Sequence, residues 1–492
     1  MFSLKKNLSA CTISTQVRSL VMGRTLRVDS RQIQPGDVFV ACQGEYTDGR
    51  NYIQAAIDNG AFFVFWDDDG KFNWQKEWDI PNVGIEDLKQ RAGLVAAACY
   101  DYPGDKLAIW GITGTNGKTS ISQWLAQAAD KLGQKCAIMG TVGNGYWQQL
   151  QNSANTTMDA VSNQTWLKHF VDDRAKAVAM EVSSHGLDQS RVVGIPFTTA
   201  VFTNLTRDHL DYHQSMENYG ACKKAMFYWQ GLRHAVINTD DEFGAQLQQQ
   251  LRLDCPQLTV YSYGFNSEAD IRIHQFQASS GHMQMLLTTP WGEAEIHTHL
   301  LGRFNAQNLA ACLGVLCANG FAFADVVSVW NDIKPATGRM DCLTEKNQPL
   351  VVVDYAHTPD ALEKALATLR EIKPAKSRLW CIFGCGGDRD AGKRTLMGAA
   401  AAAGADCVVV TSDNPRTEDP QKIIADILPS VSNPKLVEID RRAAINYAVS
   451  HAASEDIILI AGKGHETYQD INGVKQHFSD FEVAQSALRQ RV

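Results

Sequence analysis

Apolar positions along this chain fall into short unbroken runs, separated by stretches with helical spacing. The segments LAIWGI (107–112), CAIMG (136–140), AVAMEV (177–182) and TTAVFTNL (198–205) are of strand length. Continuous runs of that kind predict strands buried on both faces. Between the first two, residues 118–133 are apolar at helical intervals and stop at Gly133, a candidate C-cap. Alternation of strand and helix predicts a parallel sheet. Residues 258–300 read as alternating strands instead, and Asn305–Ala318 as a helix.

The same texture occurs on either side. Near the N-terminus, DVFVAC, AFFVFW and NVGI alternate with helix-like YIQAAIDNG and DLKQRAGLVAAACY. They predict a small α/β unit ending at the turn Tyr102-Pro103-Gly104-Asp105. Lys334-Pro335 and Thr337-Gly338 mark a second boundary. Beyond it come PLVVVDYA, a helix from Pro359, RLWCIFG, an Ala-rich helix, DCVVVTSD, a helix from about Pro420, KLVEID, another helix and DIILIAGKG. That is a doubly wound unit in its own right. The expected fold is therefore α/β with three domains, 1–103, 104–337 and 338–492. The chain's 492 residues fit that number.

Composition narrows the function. Lys and Arg number 46 against 54 Asp and Glu, a net charge of −8. That balance lacks the basic footprint of a nucleic-acid binder. No apolar run approaches the roughly 18 residues that a spanning helix needs. A soluble cytoplasmic protein is expected. Residues 1–28 contain no acidic residue and carry Lys5, Lys6, Arg18, Arg24 and Arg27, which resembles a transit peptide. They lack the apolar core of a secretory signal, and a solvated first strand and loop is the favoured reading. The 12 cysteines are scattered, with no C-x-x-C pair. Reduced buried thiols are expected rather than zinc or disulfides.

One segment carries chemistry outright. Gly111-Ile112-Thr113-Gly114-Thr115-Asn116-Gly117-Lys118-Thr119-Ser120 lies between an apolar strand and a helix. In that context Gly-Lys-Thr is a phosphate loop. Glycines let backbone N–H groups turn toward phosphate oxygens, and the helix N-terminus adds partial positive charge. Lys118 is placed for the β- and γ-phosphates and the Thr119 hydroxyl for Mg²⁺. Ile112 stands where the usual spacing has glycine, so the loop is a variant.

With what surrounds it, this loop resembles the Mur ligase family of ATP-dependent amide ligases. Val28-Asp29-Ser30-Arg31 and Pro35-Gly-Asp-Val-Phe-Val-Ala41 look like that family's uridine-nucleotide domain. Further matches follow in order: Asn155-Thr-Thr157, Glu181-Val-Ser-Ser-His-Gly-Leu187, Thr203-Asn-Leu-Thr-Arg-Asp-His-Leu-Asp211 and Gly302-Arg-Phe-Asn-Ala-Gln-Asn308. The C-terminal zone adds Thr337-Gly-Arg-Met340, Asp354-Tyr-Ala-His-Thr-Pro359, Gly386-Gly-Asp-Arg-Asp390, Asp413-Asn-Pro-Arg416 and Gly462-Lys-Gly-His-Glu466.

The resemblance implies a central ATP-binding domain, a C-terminal Rossmann-like domain that binds an amino acid, and ATP and Mg²⁺ as cofactors. The carboxylate of a UDP-muramoyl peptide becomes an acyl phosphate, which an amine then attacks. The implied catalytic and metal set is Lys118 and Thr119 with Glu181, His209 and Lys223, the last as a carbamate; Lys224 is out of register. His213 reads as structural or surface. ATP contacts are implied for Gly114 through Ser120, Asn305, Arg339 and Asp354, with His357 and Lys393 weaker. The UDP-sugar side is implied for Ser30, Asn155, Thr156, Thr157, Ser183, Gln189 and Arg191. His297 and His299 read as a solvated strand face, and the tryptophans as packing.

Asp413-Asn414-Pro415-Arg416 discriminates most. Diaminopimelate differs from lysine by a second carboxylate, for which a guanidinium fork is the natural reader. Arg416 supplies that fork and Arg389 assists. Glu466, near Gly462, suits the far ammonium. The expected reaction is addition of meso-diaminopimelate to UDP-N-acetylmuramoyl-L-alanyl-D-glutamate, in cell-wall synthesis and hence cell shape and division. The alternatives are a lysine-adding relative, a folylpolyglutamate-synthase-like ligase, and an inactive ATP-gated UDP-sugar-binding regulator. A monomer is expected, with the C-terminal domain hinging to close the site.

Overall fold

The computed structural model describes residues 13–44, 47–279, 282–336, 338–343, 345 and 347–491. Lys5, Lys6 and Thr337 lie outside them. The first sheet holds four parallel strands in chain order: β1 (Leu26–Arg27), β2 (Val38–Ala41), β3 (Phe63–Asp67) and β4 (Asn82–Ile85). Val38, Val40, Phe63 and Phe65 face the Leu88–Cys99 helix, which contributes Leu88, Ala92, Val95 and Ala96. Gly93 of that helix allows a backbone-close approach. A Cβ there would stand 1.9 Å from the Val193 carbonyl of the next unit.

The second sheet has eleven strands. They are β5 (Ala108–Thr113), β6 (Cys136–Met139), β7 (Asn144–Tyr146), β8 (Gln149–Gln151), β9 (Ala177–Glu181), β10 (Phe197–Phe202), β11 (His234–Asn238), β12 (Thr259–Gly264), β13 (Ile271–Ser279), β14 (His282–Thr289) and β15 (Gly292–Thr298). Their order is β15-β14-β13-β12-β11-β10-β5-β9-β6-β7-β8. From β13 to β6 all pairs are parallel, and the outer hairpins are antiparallel. Helices Lys118–Lys131 and Arg303–Ala318 cover one face, while Leu167, Phe170, Leu247 and Leu251 from two other helices cover the opposite one. The chain departs from β5 in both directions, so the C-terminal end of β5 is the topological switch point where such sheets bind ligands. The expected helix ends close by. It runs to Lys131, with Gly133 beyond at φ +80°.

The third sheet contains β16 (Asp341–Leu343), β17 (Leu350–Asp354), β18 (Leu379–Phe383), β19 (Cys407–Thr411), β20 (Leu436–Glu438) and β21 (Ile457–Ala461), ordered β16-β17-β21-β18-β19-β20. All but β16 are parallel. The helices from Pro359 and Pro420 begin where the sequence places them, each with proline at the N-terminus and a side-chain cap from Thr358 or Asp419. An extra hairpin, β22 (Tyr468–Ile471) with β23 (Val474–His477), follows β21 and was not foreseen. Among the described residues, no helix is long and apolar enough to cross a membrane.

One buried ion pair ties this third unit together. Arg441 and Asp480 are both fully buried, with two bonds of 2.7 Å, and Arg441 also donates to the Ser412 and Ala461 carbonyls just past β19 and at the end of β21. Arg441→Met leaves the Asp480 carboxylate unpaired. It is expected to cost about 3–5 kcal/mol, read as a lower midpoint in urea unfolding followed by tryptophan fluorescence.

Candidate functional site

The phosphate loop forms between β5 and its helix. Gly114 (φ +140°) and Gly117 (φ +91°) take conformations that L side chains avoid. A Cβ on Gly114 would also meet Thr203 Oγ1 at 1.8 Å. Ile112, the non-glycine position, stays inside the strand and is fully buried. Thr203 and Asn204, just past β10, hold the loop's shape. The Thr115 amide donates to the Asn204 carbonyl at 2.8 Å, the Asn116 amide to Asn204 Oδ1 at 3.0 Å, and Thr203 Oγ1 to the Asn116 carbonyl at 2.6 Å.

Two ammonium groups converge on this loop. Lys118 Nζ donates to the carbonyls of Gly114 and Thr115, both at 2.8 Å. Lys223 Nζ, from the Met216–Lys224 helix, donates to the same Gly114 oxygen at 2.9 Å. Lys223 is 1 % exposed, whereas its neighbour Lys224 turns outward to Gln250. The expected register is the one observed. Desolvation lowers the pKa of both ammonium groups; Glu181 and Asp208 partly offset this at Lys118, and the charge of Lys118 depresses Lys223 further.

Opposite them lies Glu181, 1 % exposed at the end of β9. Its Oε2 accepts from Thr119 Oγ1 and Thr141 Oγ1, each at 3.0 Å, and its Oε1 from the Thr141 amide at 3.0 Å. A carboxylate 3.0 Å from the loop hydroxyl is a hard-oxygen donor pair, the ligand type magnesium takes. Among the described residues no group of three or more His, Cys, Asp or Glu makes a closed metal cage. Magnesium keeps several waters and phosphate oxygens as ligands, so an open two-oxygen site fits it.

His209 precedes the short Leu210–His213 helix at φ +53°. Its ring and that of His213 surround His185, with centroids 4.9 and 5.5 Å away. His213 is buried against Ser184 Oγ at 2.9 Å, a structural role. Desolvation holds His209 down at about 4, against the pull of Asp208 and with the push of His185, Lys118 and Lys223. His297 and His299 are exposed.

The residues assigned to the UDP-sugar gather beside Glu181. Thr157 Oγ1 donates to the Glu181 carbonyl at 3.0 Å and accepts from the Ser183 amide at 2.9 Å. Arg191 donates to the Thr157 carbonyl at 2.8 Å and forks onto Gln189 Oε1. Thr156 Oγ1 meets Thr141 Oγ1 at 2.9 Å, and Asn155 is exposed nearby in the chain. Ser30 stands apart in the first unit, buried after β1 with its carbonyl taken by Asn59.

A cleft of about 230 Å³ opens between the second and third sheets, lined in part by Asn116, Gly117, Ser120, Asn308, Arg339 and Asp354. Arg339 Nη2 reaches Thr119 Oγ1 at 3.3 Å and its guanidinium lies over Tyr355. Asp354 spends both oxygens on backbone, accepting from the Met340 and Ala356 amides at 2.7 Å. Burial raises its pKa. Asn305 is not a cleft residue; it is buried and bonded to the Leu301 carbonyl and Asn308. Asn308 takes the place beside Gly117. His357 bonds the Tyr355 carbonyl, and it and Lys393 act on Asp208 by charge.

The C-terminal set assembles at the ends of β19 and β21. Asp413 Oδ1 accepts from the Asn414 amide at 2.6 Å, and glycine at 462 (φ +118°) clears Asp413 Oδ2. Asn414 Nδ2 donates to Glu466 Oε2 at 2.8 Å. Arg416 Nη1 donates to the Gly387 carbonyl at 2.6 Å, and its backbone pairs with Asp470 and Asn472 of the unforeseen hairpin. Pro415 lies between them, and Arg389 is exposed beside Gly386. Thr141, Asn204, Asn308 and Lys463 were missed. Asn204, Asn308 and Lys463 lie in matching segments, but their contacts to Asn116, Gly117 and Asn414 join segments far apart in sequence, as does that of Thr141 to Glu181.

Known proteins match the whole chain. Models of the Mur ligase family, catalytic domain (24–100), the Mur ligase middle domain (112–316) and the Mur ligase, glutamate ligase domain (338–464) all match. A UDP-N-acetylmuramoyl-L-alanyl-D-glutamate--2,6-diaminopimelate ligase of Neisseria meningitidis serogroup A is 63 % identical, covering 100 % of both chains. The enzyme of the same name from Chromobacterium violaceum is 55 % identical over 94 % of each. A solved structure with that name aligns at TM-score 0.66 and 37 % identity, covering 94 % of both chains.

The convergence of Lys118 on the loop yields a binding prediction. Hydrogen bonds to charged groups are worth about 1.5–3 kcal/mol. Lys118→Met is therefore expected to weaken ATP binding roughly 10- to 150-fold by titration calorimetry.

Proposed function

The chain belongs to the Mur ligase family, and from that premise we propose how it joins meso-2,6-diaminopimelate to the D-glutamate carboxylate of UDP-N-acetylmuramoyl-L-alanyl-D-glutamate. The observation that carries the reading is the 63 % identity, without gaps in coverage, to a ligase of that name. The product is a peptidoglycan precursor.

The carboxylate attacks the γ-phosphorus of ATP and ADP leaves, giving an acyl phosphate. The diaminopimelate amine then attacks the acyl carbon and phosphate departs, forming the amide. An anion must approach a polyanion in the first step, so positive charge at the phosphates lowers the barrier most. The loop amides, Lys118 and Arg339 supply it. Magnesium, when bound, neutralises the transferring oxygens; Thr119 and Glu181 would hold it, with His209 and carbamylated Lys223 as further ligands. Burial favours neutral Lys223, the form whose lone pair adds to CO₂; loss of a proton leaves an anionic carbamate. Thr156, Thr157, Ser183, Gln189 and Arg191, with Asn155, grip the muramoyl peptide, and Ser30 the uridine end.

The three domains would then be 1–103 for the UDP-sugar, 104–337 for ATP and 338–492 for the amino acid, acting in a cytoplasmic monomer. Arg416 and Glu466, of opposite charge, are both tied to the loop after β19, Glu466 through Asn414, which suits a far end bearing both carboxylate and ammonium. Lysine offers only the ammonium, so the lysine-adding reading leaves Arg416 unused.

The test is direct. With ATP, Mg²⁺ and UDP-N-acetylmuramoyl-L-alanyl-D-glutamate, mass spectrometry is expected to find a diaminopimelate adduct and no lysine adduct. A lysine adduct alone overturns the specificity; no adduct overturns the ligase reading. Arg416→Ala is expected to raise KM for diaminopimelate at least tenfold. Depleting CO₂ from the buffer is expected to lower the rate, and bicarbonate to restore it.

A further inference from the structure

Lys463 is fully buried against Glu466, and the mechanism above does not use it. Its surroundings are specific. Nζ donates to Asn414 Oδ1 at 3.0 Å and to Glu466 Oε2 at 3.0 Å. The Asp470 amide also donates to Asn414 Oδ1, at 3.0 Å. Two donors on Oδ1 settle which way the Asn414 amide points. Its Nδ2 must face Glu466, and it does, at 2.8 Å.

Glu466 Oε2 thus receives two donors, one charged, while among the described residues Oε1 receives none. The carboxylate is anchored by one oxygen and keeps the other for a ligand. Without Lys463, Glu466 would lose its cationic anchor, and the Asp470 amide alone would hold Asn414 Oδ1.

We infer that Lys463 is a positioning residue for amine specificity: by fixing Asn414 and Glu466 together, it aims the Glu466 carboxylate at the far ammonium of the incoming amino acid. This deepens the ligase reading and rests on it. The effect is selective. It concerns the ammonium end and leaves the far carboxylate to Arg416, whose guanidinium is held separately by the Gly387 carbonyl.

A ligand-based double-mutant cycle tests it. meso-Diaminopimelate is compared with 2-aminopimelate, which keeps the reacting amine and both carboxylates and lacks only the far ammonium. In the intact enzyme, KM is expected to be at least tenfold higher for 2-aminopimelate. In Lys463→Met that ratio is expected to fall below about threefold, because KM for diaminopimelate rises while KM for ATP holds. Lys463→Arg is expected to recover part of the ratio. Lys463→Gln, which keeps a polar donor in the cavity, serves where the methionine variant does not fold, with the same collapse expected. An unchanged ratio with both substrates uniformly weakened assigns Lys463 to stability alone and overturns the inference. No product from the intact enzyme with diaminopimelate overturns the ligase reading instead.

Discussion

A single carbonyl oxygen, that of Gly114, receives the terminal nitrogens of two lysines, and much of the central unit is arranged to allow it. Lys118 arrives from the first turn of the helix after β5, and Lys223 from a helix more than a hundred residues later. Like charges do not share an acceptor cheaply in a desolvated site. The arrangement persists because the loop backbone is fixed from outside by Thr203 and Asn204, and because Glu181 and Asp208 supply opposing charge. A glycine is needed at the shared point, since any side chain there would strike Thr203. The result sets the Lys118 charge and the loop amides at the sheet's switch point, beside a Lys223 that burial biases toward its neutral form. A polyphosphate answers that demand, and a neutral ligand does not.

The second constraint lies between sheets. Arg339 meets Thr119, Asn116 meets Asp360 at 3.0 Å, and Arg207 faces Asp390 at 3.6 Å. Three polar contacts therefore bridge the phosphate-loop unit and the C-terminal unit around the cleft. Asp354 determines the reach of the first. By accepting from the Met340 amide it pins the backbone next to Arg339, where Met340 takes φ +49°. Its carboxylate reads in sequence as a ligand group, yet its geometry is that of a clamp on the chain that delivers the arginine. On the ligase reading, the two substrates' sites sit on opposite sides of these bridges, and forming the bridges is what brings amine and acyl phosphate together.

What the sequence made legible follows from how each signal is encoded. Glycine, lysine and threonine at fixed spacing after an apolar run specify a loop because backbone conformation is local. The resemblance singles out Lys223 over Lys224, and one helical step then decides which of the two faces inward. Proline and threonine at 358–359 marked a helix start to the residue. His209 sits at a left-handed turn, so its separation from His213 is set by backbone conformation that residue spacing does not carry. Asn305 and Asn308 share a helix and differ only in which side meets Gly117, a matter of packing that three residues of spacing cannot decide. Thr141 is invisible for a stronger reason: its partner Glu181 lies on another strand of the sheet. Lys463 stands within a matching segment, but its bond to Asn414, 49 residues away, is a matter of tertiary placement.

The hairpin β22–β23 shows how such support is built. It has little core of its own, and its strands are half-buried or exposed. Nevertheless its backbone accepts the Arg416 amide at Asp470, returns the Asn472 amide to the Arg416 carbonyl, and gives the Asp470 amide to Asn414; Gln469 adds a bond to the Asp413 carbonyl at 2.6 Å. Arg416 sits at φ +52°, a conformation an arginine does not choose unaided. The hairpin makes that conformation affordable by pairing with both sides of the residue. On the ligase reading, a guanidinium so held loses less freedom when it meets a carboxylate, and the ion pair of Lys463 with Glu466 treats the ammonium end in the same manner. Specificity, on that reading, is prepared by residues that need not touch the ligand, through backbone and ion-pair contacts already made before it arrives.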